Sequence, residues 1–187
     1  MGTVHFPVRT LIIFYFLFLG ILALLAQMIL PTHFRFLGSI GLGSALVPLV
    51  VIYASLELGD ERAPILAGLL GLMLDLTTSH RLGISILILS SISALIVTQT
   101  HREESHQWTF RLTFVMVGTF IYLLLDYLFF QLETSRWFWP LTVWSKITFS
   151  CLLNLILYPL LFLAAGFLPR LAGWKPDYEQ QRSGAYL

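Results

Sequence analysis

Three ionisable residues, Asp75, Asp126 and Lys146, interrupt otherwise apolar runs of this sequence, with the amides of Asn154 and Gln27 as neutral company. A charge held in hydrocarbon costs several kcal/mol unless it is paired or faces the protein interior, so these positions carry most of the chemical information in the chain. Two carboxylates and an ammonium are the ingredients of a proton relay, a substrate site or a catalytic dyad. The same groups also make a satisfied polar core that fixes helix register. Membrane aspartates suggest aspartyl proteolysis, but that chemistry is associated with Gly-x-Gly-Asp, and Gly71-Leu72-Met73-Leu74-Asp75 has a different spacing. The chain has no His-Glu-x-x-His, no Gly-rich phosphate loop and no Gly-x-Ser-x-Gly. His5, His33, His80, His101 and His106 fall at the ends of apolar runs or between them, as interfacial histidines do more often than metal ligands. The single cysteine, Cys151, excludes an internal disulfide and a cysteine-based metal site. The expectation is a protein without enzymatic activity, metal or cofactor.

The elements that position these residues follow from composition. Of the 187 residues 57% are hydrophobic and only 11% charged, and the mean hydropathy is +0.83, far from the soluble range. The net charge of +1, with no basic run, gives no pull toward nucleic acid. Lipid is the expected solvent. Apolar runs occupy about 11–30, 37–56, 64–78, 82–98, 108–132 and 140–168. They are long and continuous where barrel strands would alternate, so the predicted fold is an all-α integral membrane protein with six transmembrane helices. The first run is too long for a signal-peptide core and is read as an uncleaved span. Residues 1–170 form the transmembrane domain, and the polar stretch 171–187 a flexible tail. Only Ser79, His80 and Arg81 separate the third and fourth runs, which predicts a tight helical hairpin.

Orientation follows from Lys and Arg placement in a six-span chain. Arg9, Arg62, Arg102, Arg111, Arg170, Lys175 and Arg182 fall on the side of the termini, and Arg35, Arg81, Arg136 and Lys146 on the other. That bias places both termini in the cytoplasm of a multi-pass inner-membrane protein. The tryptophans agree, with Trp108 and Trp174 at the inner surface and Trp137, Trp139 and Trp144 at the outer one.

In this arrangement Asp75 ends a face of small residues, Ala67, Gly68 and Gly71, that invites close approach by a neighbouring helix. Gly83, Ser90, Ala94 and Thr98 offer a matching surface on the fourth helix. On the last span Lys146, Ser150, Asn154 and Tyr158 recur every four residues. Lys146 stands at the depth of Asp126, which predicts an intramembrane ion pair that Asp75 can join. The polar cluster is thus Asp75, Asp126, Lys146 and Asn154. The second span carries Gly38, Ser39, Gly41, Gly43 and Ala45, small-xxx-small spacing suited to docking a partner helix or to packing within the chain.

The stretch GLMLDLTTSHRLG from Gly71 to Gly83 resembles the signature of the MreD family of bacterial rod shape-determining membrane proteins. A pattern close to Gly-x-x-x-Asp-x-x-x-Gly-x-Pro-x-Gly joins two helices there, and Gly71, Asp75 and Gly83 match it at the same spacing. Ser79 stands where Gly is usual and Arg81 where Pro is usual. In the last span Asn154 followed by Tyr158-Pro159 looks like the family's Asn-x-x-x-aromatic-Pro. The resemblance implies a scaffold of the cell-elongation rod complex that partners MreC and, through it, MreB, RodA and a class B penicillin-binding protein in peptidoglycan synthesis. It also implies a fold similar to the substrate-binding components of energy-coupling factor transporters, which leaves a small-molecule-binding subunit of a vitamin-type transporter as the alternative. The short segment Pro31 to Phe36 between the first two spans is small for a ligand lid and disfavours that alternative.

Overall fold

The computed structural model describes residues 6–33, 45–78, 82–100, 108–134 and 140–171. Within them the chain forms α1 (Phe6–His33), α2 (Leu46–Leu58), α3 (Arg62–Thr78), α4 (Ile84–Thr100), α5 (Trp108–Thr134) and α6 (Leu141–Leu171). Three helices are long and apolar enough to cross a membrane, over Thr10–Ile29 in α1, Trp108–Leu132 in α5 and Leu141–Ala165 in α6. The others are short. With 13, 17 and 17 residues, α2, α3 and α4 reach only about 20 to 26 Å against a ~30 Å hydrocarbon layer. The predicted second span, 37–56, coincides with α2 only from Leu46 onward. Its residues up to 44, with Gly38, Ser39, Gly41 and Gly43, and the predicted tail from 172 onward lie outside the described residues.

The bundle is organised around α2, in which every residue from Val47 to Leu58 is buried. A helix apolar on all sides has no lipid or water face, so it belongs at the centre, and α2 packs against each of the other five helices. Its Tyr53 stacks edge-on with Phe16 of α1 (centroids 5.7 Å apart) and with Tyr158 of α6 (6.1 Å). On the α4 side Ser55 Oγ and Ser93 Oγ share a buried hydrogen bond of 2.7 Å. Gly59, left-handed at φ 61°, ends α2 by donating its N–H to the Ser55 carbonyl.

The predicted hairpin is α3 and α4, whose mutual packing is the most extensive in the bundle. A Cβ on Gly71 would stand 2.8 Å from the Ile86 backbone, so the two helices touch main chain to main chain there. The surface that α4 offers differs from the expected one. Ala94 and Thr98 are exposed, and the Ser90 hydroxyl bonds back to the Ile86 carbonyl of its own helix. Ser85 and Ile86 meet α3 instead, because a hydrogen-bonded joint at the start of α4, described below, fixes the rotation of that helix.

At the opposite end of α3 lies a contact that no motif in the sequence marks. Arg111 Nη1 of α5 donates to Glu57 Oε1 of α2 at 2.7 Å, with both side chains less than a tenth exposed. The guanidinium also lies 5.5 Å from the Phe162 ring of α6, so one cation holds three helices together. Removing one member of a buried pair strands the other charge, at about 3–5 kcal/mol. Glu57→Ala and Arg111→Ala are each expected to lower the melting temperature of the solubilised protein by several degrees. The double replacement Glu57→Met, Arg111→Met should recover much of that loss. Single variants that melt with the parent would show that the pair does not hold α2 to α5.

Candidate functional site

The Asp75 side of the hairpin is built from the last turn of α3 and the first turn of α4. Asp75 is 1% exposed. Its Oδ2 accepts the Gly83 N–H at 2.7 Å and its Oδ1 the Ser85 N–H at 3.1 Å. The first amides of a helix have no partner within the helix, and the Leu87 N–H to Gly83 carbonyl bond (3.0 Å) marks Gly83 as the residue before the first turn. Asp75 therefore caps α4 from a neighbouring helix, with its negative charge at the positive end of the α4 dipole. Gly83 has φ 107°, a conformation that side-chain-bearing residues rarely adopt. Gly71, one turn before Asp75, supplies the close approach. Gly71, Asp75 and Gly83 thus serve one joint. Tyr122 of α5 is buried beside Ser85, with Asp75 and Asp126 within Coulombic reach of its hydroxyl. Asp126 is half-buried.

Asn154 belongs to a second joint, at the start of α2. Fully buried, it donates from Nδ2 to the Ala45 carbonyl and to Thr119 Oγ1 of α5, both at 3.0 Å. From α1, Gln27 Oε1 accepts the Val47 N–H at 3.3 Å. Ala45 is 0% exposed, so α2 begins inside the bundle, where no water reaches its open backbone groups. Gln27 takes the place of that water for the Val47 N–H, while Asn154 adds a second bond to the Ala45 carbonyl, which also accepts the Leu49 N–H. Pro48, in the first turn, removes one more donor that would need a partner. Pro159 lies within α6, which continues past it to Leu171.

Lys146 belongs to neither joint. It lies on the exposed side of α6, and among the described residues no ion pair joins it to Asp126. The reason is rotational. Residues four apart drift by about 40° around a helix, so a stripe that is buried at Tyr158, Asn154 and Ser150 has turned roughly 120° away by Lys146. Ile147 takes the buried position instead. The single expected cluster resolves into Asp75 with Ser85 and Tyr122 at one end, Asn154 with Thr119 and Ala45 in the middle, and Lys146 outside. Ala45 also leaves the expected partner-helix face, because it is enclosed on all sides. Among the described residues no three His, Cys, Asp or Glu side chains are grouped to hold a metal ion. Both joints bring a side chain to the start of a helix, Asp75 and Gln27 as acceptors of open N–H groups and Asn154 as a donor to the Ala45 carbonyl.

Asp75→Ala leaves the buried Ser85 N–H and the half-buried Gly83 N–H without their acceptor, at about 1–3 kcal/mol. The expected outcome is a lower melting temperature together with faster amide exchange at Gly83 and Ser85. Asp75→Asn keeps one acceptor oxygen and should fall between parent and alanine variant. Unchanged exchange at those two amides in Asp75→Ala would rule out the cap.

Residues 8–164 match the family model described as rod shape-determining protein MreD. No curated protein and no solved structure is matched, so the expected likeness to the energy-coupling factor components gains no support. The matched region runs from α1 through most of α6 and contains both joints and the Glu57–Arg111 pair, and over that extent the chain belongs to the MreD family of rod shape-determining membrane proteins.

Proposed function

We propose that the chain is a non-enzymatic scaffold of the bacterial rod complex, set in the cytoplasmic membrane with six crossings and both termini in the cytoplasm. In this reading it partners MreC directly and stands in one assembly with MreB, RodA and a class B penicillin-binding protein, helping to organise peptidoglycan synthesis and maintain cell shape. Family membership carries the reading. The engagement of both Asp75 oxygens and of the Asn154 amide with backbone groups supports it, since these side chains hold helices in place. A binding subunit for a small molecule has no comparable support.

The glycine-rich stretch before α2, with Gly38, Ser39, Gly41 and Gly43, remains the proposed face for the MreC helix, and Ala45 is dropped from it as buried. Photo-crosslinkers placed at Gly41 or Gly43 in living cells are expected to join the chain to MreC. Adducts formed only within the chain would remove that face. Depletion of the protein from a rod-shaped host is expected to give rounded cells, and unchanged rods under depletion would overturn the scaffold reading itself.

A further inference from the structure

The apolar belt of this bundle has two heights. Around the central α2, α3 packs on α1, α4 on α3 and α5, and α6 on α5. The Tyr15 hydroxyl of α1 donates to the Ala165 carbonyl of α6 at 3.0 Å and closes the ring. The hairpin of α3 and α4 and the last helix α6 therefore lie on opposite sides of α2. In α5 and α6 the apolar segments Trp108–Leu132 and Leu141–Ala165 have 25 residues each, or about 36 Å. Each arm of the hairpin has only 17 residues, or about 25 Å.

Polar residues bound the hairpin at both ends. Where α3 starts and α4 finishes, Glu61 is exposed, the Arg62 side chain is 43% exposed beside Asp60, and Thr98, Gln99 and Thr100 close α4. At the other end Thr77 and Thr78 finish α3, and the sequence puts His80 and Arg81 before α4 begins. The neighbouring helices give the height independently. The Glu57–Arg111 pair sets the first turn of α5 level with the end of α2, and a Cβ on Gly59 would meet Thr100 Oγ1 at 3.7 Å, so α4 ends there too. Farther along α5, Tyr122 stands beside Ser85 at the start of α4. Arg111 to Tyr122 is about 16 Å along α5, and Asp75 to Thr78 adds ~5 Å. The hairpin thus ends near the height of about residue 125 of α5, whose apolar segment continues to Leu132 for another ~10 Å.

Both routes make the hairpin shorter than a ~30 Å hydrocarbon layer, and any tilt shortens it further. Its outward side chains, Ile65, Leu69 and Leu76 of α3 with Leu87 and Leu95 of α4, are apolar and exposed. Drawing the cation of Arg81 into hydrocarbon costs more than thinning a bilayer by a few ångströms. We propose that the face of α3 and α4 is a lipid-selecting surface, which thins the bilayer beside it and takes lipids with short or unsaturated acyl chains. The face of α6 meets a bilayer of full thickness. This inference needs the hairpin to cross the membrane but needs no partner protein, so its failure leaves the partners of the scaffold reading untouched.

The test is the depth of a spin label on the full chain, reconstituted in phosphatidylcholine vesicles whose monounsaturated acyl chains run from about 14 to about 20 carbons. One label replaces Leu76 and, in a separate sample, one replaces Leu152 of α6, both exposed. Cys151 is buried and stays in place, with the unsubstituted chain as the blank. The Leu76 label is expected to keep one depth below the headgroups within about 2 Å, because the bilayer surface follows the hairpin, while the Leu152 label sinks by roughly 5 Å over the series. A label at the exposed Leu82 repeats the measurement if Leu76 does not tolerate one. Hairpin labels that sink as far as the Leu152 label overturn the proposal. Spin–spin broadening between Leu76 labels, the mark of a second copy seated on this face, overturns it as well.

Discussion

The arrangement depends on a short helix that begins where no water can reach it. α2 has 13 residues, is buried on every side from Val47 to Leu58, and starts at the enclosed Ala45. A helix start leaves backbone groups open, and in a hydrocarbon setting each costs several kcal/mol if left alone. The surrounding helices are therefore obliged to bring polar side chains to that one place. Gln27 comes from α1 to accept the Val47 N–H, and Asn154 comes from α6 to share the Ala45 carbonyl with the Leu49 N–H while also bonding Thr119 of α5. Three long helices are thereby tied to one short one at a defined height, and the rotation of each follows from the need to aim its polar residue inward.

The same logic recurs at the two ends of α3. At one end Asp75 does for α4 what Gln27 does for α2, accepting N–H bonds at the helix start with a carboxyl group where Gln27 uses an amide oxygen. At the other end the Glu57–Arg111 pair follows from helix electrostatics. Glu57 lies in the last turn of α2 and Arg111 in the first turn of α5, so each charge sits at the unfavourable pole of its own helix. Brought together, each stands at the favourable pole of the other's helix. The pair is thus satisfied only when the end of α2 and the start of α5 are adjacent, which makes it a device for register as much as for stability.

Much of this was legible in the sequence. The hairpin and its close approach at Gly71 could be read from a stretch of thirteen residues, but Asp75 was expected beside Lys146 and instead bonds the Gly83 and Ser85 amides, backbone groups that carry no mark in the sequence. The importance of Asn154 could also be read, since an amide in the middle of an apolar run demands a partner. Its partner could not, because the Ala45 carbonyl is a backbone group 109 residues away and carries no mark in the sequence. Glu57 and Arg111 were hidden differently. Each sits near the end of an apolar run, where a charge is ordinarily solvated at the membrane surface, and only the three-dimensional packing shows them buried. Lys146 was misplaced by treating residues four apart as a straight line along α6. The small rotation per step, negligible over one turn, is decisive over three.

These joints bear on what the fold is for. Helices in lipid gain little by burying apolar surface against one another, so side-chain apolarity alone specifies neither register nor rotation. Close packing and polar contacts must do so, and here several interior polar contacts bridge helices: Asp75 from α3 to α4, Ser55 from α2 to Ser93 of α4, Glu57 to Arg111, and Asn154 to both Ala45 and Thr119. Such a body resists deformation, because sliding or turning any helix breaks a buried hydrogen bond that lipid cannot replace. A transporter that rocks between two states, or a binding subunit that opens to admit a ligand, would carry interior polar groups that are satisfied in more than one arrangement. In this bundle the bonds of Asp75 are made to backbone amides held in place by the helix start and by Gly83, and they are geometrically unforgiving. Rigidity of that kind suits a part that holds its shape within the membrane better than one that cycles between two arrangements.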